Sequence, residues 1–287
     1  MISFGQVSTA MVTPFDSKGN IDFEKITQLV NHLINNGTDS LVVAGTTGES
    51  PTLTAEEKVA LFRHTVEAVA GRVPVIAGTG SNNTKQSIEL TKKAEEAGVD
   101  AIMLVAPYYN KPNQEGLYQH FKTIAESTSL PVMIYNIPGR ASVNITPETT
   151  IRLSKIANIV AAKEASGNID AMTEIIAGTA DDFLVYSGDD GLTLPVLSVG
   201  GDGVVSVASH IVGNEMQQMI SYFLEGKHQE AAKIHQQLLP VIRGLFAAPS
   251  PVPVKTALQL KGMDMGSVRL PLVPLSEAER AALMKLL

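Results

Sequence analysis

Lys163 closes the apolar run Ile159-Val160-Ala161-Ala162-Lys163 and is the only lysine that ends a strand-like run. An ammonium there, partly removed from water, has its pKa pushed below the ordinary value of about 10.4, and the freed lone pair can attack a carbonyl. Period-two alternation predicts Ile159, Ala161 and Lys163 on one face, where small Ala161 leaves room for a ligand beside the amine. The competing use of the position is a lysine that snorkels outward to pair with an acid such as Glu164.

Tyr135 ends the preceding apolar run, Val132-Met133-Ile134-Tyr135. A phenol one strand away from the amine can shuttle protons while a carbinolamine dehydrates, although a rim tyrosine often only packs a helix. Thr46 and Thr47 follow another run in Gly45-Thr46-Thr47-Gly48-Glu49-Ser50. Flanking glycines allow close backbone approach, and paired hydroxyls with exposed N–H groups suit a small carboxylate. Arg140 lies just beyond Tyr135 in Asn136-Ile137-Pro138-Gly139-Arg140, where a guanidinium can grip a carboxylate with two parallel hydrogen bonds. A phosphate is a poor fit, because no Lys or Arg occurs between Glu164 and Gly226. The six histidines have no spacing typical of zinc ligands, so no metal is expected.

These residues need elements that bring run ends together. Val7 to Val12, Ser40 to Val43, Val75 to Gly78, Ala101 to Val105, Val132 to Tyr135, Ile159 to Lys163, Leu184 to Ser187 and Gly203 to Val207 read as buried strands. Helical periods fill the gaps: Phe23 to Asn36, Thr54 to Ala70, Thr84 to Ala97, Gln114 to Ser127, Thr146 to Ser154, Ile169 to Ala177, Leu192 to Val199 and Asn214 to Glu225. Thr54-Ala55-Glu56-Glu57 is a capping box, and Pro147 stands at a first helical position. Strict alternation of this kind predicts an α/β fold, a (β/α)8 TIM barrel over residues 1–225 with its site where the strands end. An open doubly wound sheet would want a dinucleotide loop, and Gly78-Thr79-Gly80-Ser81-Asn82-Asn83 lacks the third glycine. Residues 226–287 read as a helical appendage, with helices at His228 to Phe246, Pro253 to Lys261 and Ser276 to Leu287.

Composition narrows the classes further. A net charge of -7 argues against nucleic acid as partner, and the complete lack of cysteine excludes disulfides and thiolate chemistry. Met1-Ile2-Ser3-Phe4-Gly5 lacks a basic segment followed by an apolar one, and no apolar stretch reaches the roughly 18 residues that span a bilayer, so a cytoplasmic protein without a membrane partner is expected.

With Gly45-Thr46-Thr47-Gly48-Glu49, Tyr135-Asn136-Ile137-Pro138-Gly139-Arg140 and Lys163-Glu164 in this order, the sequence resembles the 4-hydroxy-tetrahydrodipicolinate synthase (dihydrodipicolinate synthase) family of pyruvate-dependent class I aldolases. The similarity runs from Val7 to the C-terminus. It implies condensation of pyruvate with L-aspartate-4-semialdehyde in lysine and diaminopimelate biosynthesis, without a cofactor. By that resemblance Lys163 forms the imine, and Tyr135 relays protons with Thr47 and with Tyr109, the last lent by a neighbouring subunit. Thr46 and Thr47 hold the pyruvate carboxylate, Arg140 grips the semialdehyde carboxylate, and Gly188 and Val205 line the site through their backbones. A homotetramer built as a dimer of dimers is implied too.

One departure stands out. Family members inhibited by lysine carry histidines and a glutamate at an effector site, whereas the matching positions here are Ala55, Lys58 and Gln86. A cation in place of an anionic partner predicts weak feedback by lysine. N-acetylneuraminate lyase and 2-keto-3-deoxy sugar acid aldolases are the nearest rivals, set apart by Arg140; a non-catalytic keto-acid-binding barrel would need neither Lys163 nor Tyr135. The roles of Glu49 and Glu164 stay open between ordering loops and capping backbone.

Overall fold

Each short apolar run becomes a strand covered on both faces. In the computed structural model, which describes residues 3–287, these are β1 (Val7–Ala10), β2 (Ser40–Val43), β3 (Val75–Gly78), β4 (Ala101–Val105), β5 (Val132–Asn136), β6 (Ile159–Glu164), β7 (Leu184–Ser187) and β8 (Gly203–Ser206). They pair in parallel in chain order and close into a barrel through β8 and β1. Met1 and Ile2, which open the segment inspected for a targeting signal, lie outside the described residues. Among the described residues no helix is long and apolar enough to cross a membrane.

Helices follow the strands as the alternation predicts: α1 (Phe23–Asn35), α2 (Ala55–Val69), α3 (Thr84–Glu96), α4 (Gln114–Ala125), α5 (Pro138–Ala141), α6 (Pro147–Leu153), α7 (Ile169–Gly178), α8 (Thr193–Ser198) and α9 (Ser209–Leu224). Three more, α10 (His228–Leu245), α11 (Val252–Leu260) and α12 (Glu277–Met284), form the C-terminal region. The capping box at Thr54 is present, its hydroxyl accepting from the Glu57 N–H while the Glu57 carboxylate accepts from the Thr54 N–H.

Three expectations need correction. First, β1 stops at Ala10 rather than Val12, because Met11 is the last residue whose N–H reaches β2, at Val42 O (2.9 Å), and Val12 donates to His210 Nε2 instead (3.2 Å). Second, the helix after β8 begins at Ser209 rather than Asn214. Its first turn is buried and polar, with Ser209 bonded to Thr9 (2.8 Å), and a non-helical Val212 breaks the apolar period there. Third, Ile159 does not share a face with Ala161 and Lys163. The β5–β6 register steps from Val132↔Ile159 to Met133↔Ala161, so the extra residue Val160 flips the alternation. Ile159 joins the outer core under the helices, while Ala161 joins the barrel interior with Val42, Ile76, Met133, Tyr135 and Val205. Helix α5 went unforeseen because four residues carry no readable period.

The N-terminal end of the barrel is tied by a repeated device. The residue before every even strand is a short polar one that satisfies backbone groups at the start of the preceding odd strand. Asp39 accepts from Gln6 N (2.7 Å) and Val7 N (2.9 Å), Asp100 from Val75 N (2.8 Å), and Asp202 from Val185 N (2.7 Å). Asn158, before β6, acts in the opposite sense, donating to the carbonyls of Ala125, Thr128 and Leu130 ahead of β5. Strand N–H groups without an intrasheet partner are thereby satisfied where the ladder starts. Phe4 plugs this end against Tyr186, whose hydroxyl donates to Gly5 O (2.8 Å).

An Asp100→Ala exchange should leave the Val75 amide without its acceptor and lower stability by about 1–3 kcal/mol. A urea unfolding curve checks this; an unchanged midpoint would show that water replaces the carboxylate at no cost.

Candidate active site

At the opposite end the strands deliver the residues singled out above. Tyr135 and Lys163 are directly paired in the β5–β6 ladder, and Lys163 is paired in turn with Tyr186 on β7. Lys163 is only 6% exposed, with its amine 4.1 Å from the centre of the Tyr135 ring. A cation over a ring face is held by the ring quadrupole, which partly offsets the loss of water. Glu164, the next residue, faces the other way and accepts from the Ser166 hydroxyl (2.6 Å). Among the described residues it makes no ion pair with Lys163, so the snorkelling alternative is not realised.

Burial dominates the electrostatics. Desolvation lowers the Lys163 pKa to about 8, with the Asp190 carboxylate pulling it up and the Arg140 guanidinium adding to the depression. Burial raises the Tyr135 phenol to about 12, against the opposing influence of Arg140 and the Thr46 hydroxyl. Neutral pH therefore finds a phenol that keeps its proton beside an amine that gives its proton up more readily than usual. Asp190 is fully enclosed. It accepts from the Ser206 hydroxyl and from the N–H groups of Val207 (3.1 Å) and Ala208 (3.3 Å), while burial holds its pKa above the usual carboxylate range.

Beside this pair opens a pocket of about 300 Å³ whose walls include Thr46, Tyr135 and Arg140. Arg140 sits on α5, and among the described residues its guanidinium has no carboxylate partner, so it is available to an anionic ligand. Thr46 belongs to the β2 loop, which is bounded by two non-glycine residues in the left-handed region, Ala44 (φ 53) and Glu49 (φ 55). Such residues cost roughly 1–3 kcal/mol each and persist only where the surroundings fix them. Thr47 is buried, and neither it nor Lys163 is a wall of this pocket, although the Lys163 amine lies over the ring of Tyr135, which is one.

Gly188 and Val205 approach from the other side. A Cβ on Gly188 would stand 3.0 Å from Lys163 Cε and 2.7 Å from Ala165 Cβ, so glycine leaves the lysine its space. Val205 lies in the barrel interior at 1% exposure. Tyr109 is not brought to this pocket by its own chain: it is 89% exposed, on a left-handed backbone (φ 72), and the neighbouring Tyr108 lines the pocket instead. Sequence reasoning missed Gly78, Gly80 and Ser81, which form another wall. Added side chains at the two glycines would strike backbone, Ala44 O at 2.5 Å and Val105 N at 2.4 Å. A Gly-x-Gly that closes an apolar run was the available signal, weighed above only as a nucleotide loop. Lys58, which the sequence matches only to an effector position, shares this pocket with Arg140.

Residues 3–287 match the Dihydrodipicolinate synthetase family. The chain belongs to that family. It is 70% identical over 282 residues to a 4-hydroxy-tetrahydrodipicolinate synthase of Bacillus velezensis, covering 98% of each chain. A solved dihydrodipicolinate synthase of Bacillus anthracis superposes with a TM-score of 0.99 at 67% identity, covering 100% of this chain and 98% of that one. Another solved relative, 42% identical with a TM-score of 0.96 over 99% and 95% of the two chains, is described as the first monomeric dihydrodipicolinate synthase variant. Membership of the family thus does not by itself set the number of subunits.

If burial governs Lys163, capture of a small keto acid by its amine should quicken as pH rises through about 8 and level off above it, since only the unprotonated amine attacks. Borohydride trapping across pH measures this. A rise that continues to the ordinary lysine value of about 10.4 would show the amine to be well solvated.

Proposed function

We propose that this dihydrodipicolinate synthetase family member condenses pyruvate with L-aspartate-4-semialdehyde through a Schiff base on Lys163, giving 4-hydroxy-tetrahydrodipicolinate for lysine and diaminopimelate biosynthesis. The observation that carries the reading is the buried Lys163 amine against the Tyr135 ring, beside a pocket that holds an unpaired Arg140. The Lys163 nitrogen adds to the C2 carbonyl of pyruvate, and the carbinolamine loses water to leave an iminium. That cation is an electron sink, so a proton leaves C3 and an enamine forms. Its C3 attacks the aldehyde carbon, whose oxygen takes up a proton. The amine of the semialdehyde half then adds to C2, the Lys163 nitrogen departs with a proton, and the ring is closed.

Tyr135 suits the proton transfers because it stays protonated at neutral pH and its ring lies beside the nitrogen. Thr46 and Thr47 are read as the cradle of the pyruvate carboxylate and Thr47 as a relay partner of Tyr135, with the backbones of Gly188 and Val205 as walls. Arg140 is assigned the semialdehyde carboxylate, which separates this reading from the sugar-acid aldolases. No dissociable cofactor is needed in the scheme. An ammonium at Lys58, where an anionic partner would hold the effector's ammonium, supports weak inhibition by lysine. A cytoplasmic location fits a biosynthetic enzyme of this kind.

Pyruvate and borohydride should leave a pyruvyl adduct on the Lys163 peptide, read by mass mapping; a clean Lys163 peptide would sink the catalytic reading. In Arg140→Ala the adduct should persist while turnover with the semialdehyde falls by about 10²-fold or more. Loss of both would make Arg140 a structural residue.

The exposure of Tyr109 supports a site completed by a second copy, within a dimer of dimers. Mixing inactive Lys163→Ala with inactive Tyr109→Phe should then restore activity after subunit exchange, because one mixed site receives an intact lysine and an intact tyrosine. No recovery in exchanged dimers would place Tyr109 in its own chain's site, and a fully active Tyr109→Phe would place it outside catalysis.

A further inference from the structure

Glu49 ends the Gly45–Glu49 loop, and its carboxylate is taken up by the far end of the chain. Lys255 Nζ donates to Oε1 at 2.8 Å, and the Arg269 backbone N–H donates to Oε2 at 2.8 Å. The Lys255 and Glu49 side chains are 3% and 1% exposed. Lys255 also donates to Ser267 O (2.9 Å) and lies 4.2 Å above the Phe15 ring. The Arg269 guanidinium covers the same ring at 4.4 Å. It donates to Gly19 O and Thr52 O, both at 2.8 Å, and to both carboxylate oxygens of Glu57 at 2.6 and 3.0 Å.

No step of the reaction uses these groups. A buried ion pair is also no efficient route to stability, since two charges lose their water to make it. What it supplies is direction: a carboxylate held at both oxygens accepts one placement, where apolar packing tolerates several. That placement is passed on along the loop. The Glu49 N–H donates to Thr46 O (3.0 Å), Ser50 N–H to Gly45 O (3.2 Å), and the Thr13 hydroxyl to Gly48 O (2.7 Å). The backbone carbonyl of Thr46 is thus held by Glu49 itself, the flanking Gly45 and Gly48 carbonyls by Ser50 and Thr13, and Glu49 is set by α11 and the segment after it.

We propose that Lys255, acting with Arg269 through Glu49, is a positioning residue that holds the Thr46–Thr47 cradle in place for the keto acid. The inference rests on the reading of that cradle given under Proposed function. It gives the C-terminal region a part in the active site, so the division at residue 226 is one of chain order and not of function.

Three full-length variants test it: Lys255→Met, which keeps the apolar stem and removes the ammonium; Glu49→Gln, which keeps the acceptor shape without the charge; and the double variant. Thermal melting, both Michaelis constants and the rate of borohydride trapping with pyruvate are measured on each. Lys255→Met should melt earlier, raise KM for pyruvate by about tenfold or more with an equal slowing of trapping, and change KM for the semialdehyde by less than about twofold. The double variant should regain thermal stability, because no unpaired charge stays buried, yet keep the raised KM for pyruvate. If both quantities return together, the pair serves stability alone and the proposal is overturned. Unmoved pyruvate constants in Lys255→Met overturn it as well. Should Lys255→Met fail to fold, the double variant carries the same comparison. An unaltered protein that yields no Lys163 adduct sinks the functional reading itself, whereas a normal adduct with unmoved variants removes only the positioning role.

Discussion

Removal of the Lys163 amine from water is the constraint on which the rest depends. A lysine at neutral pH is a poor nucleophile because its lone pair carries a proton, and the remedy is a site where the ammonium is costly. Burial does this here, but the cost must not be fully offset by a neighbouring carboxylate. Glu164 is turned to the opposite face of β6, and Asp190 spends its hydrogen-bonding capacity on Ser206 and on the amides of Val207 and Ala208. The amine lies instead over the Tyr135 ring, which tolerates a cation without fixing it. Barrel, loops and caps all serve to keep that small dry volume in register.

Much of this was legible in the residues themselves. Closed-barrel topology follows from eight apolar runs separated by helical periods, since parallel strands need crossovers and both faces covered. Lys163 and Tyr135 could be placed at one rim because each ends its run, and the ladder pairs them directly. Alternation could not reveal the Val160 bulge, because a period of two carries no mark of one extra residue when the neighbours are all apolar. The start of helix α9 is hidden for a related reason: Ser209 and His210 look like surface, and only their bonds to Thr9 and Val12 explain why they are buried.

Other gaps have their origin in distance along the chain. The role of Glu49 is not readable locally because its partners, Lys255 and Arg269, come more than two hundred residues later. Nothing in a local window marks a lysine of α11 as buried, since a lysine among apolar neighbours such as Val254 and Ala257 reads equally well as one that snorkels out to solvent. The walls at Gly78 and Gly80 escaped for another reason: glycine announces close approach without saying what approaches, and here it is neighbouring backbone.

The caps ahead of the even strands divide the cylinder into like pieces. Asp39 joins β2 to β1, Asp100 joins β4 to β3, Asn158 joins β6 to the entry of β5, and Asp202 joins β8 to β7. Among the described residues the seams between these pairs have no such tie and rely on ladder hydrogen bonds and packing. Tyr135 and Lys163 fall inside one piece, on β5 and β6, whereas Gly188 arrives from the next. The reacting pair is therefore a short-range product of a single two-strand unit, and closure of the ring adds its walls without having to create its geometry.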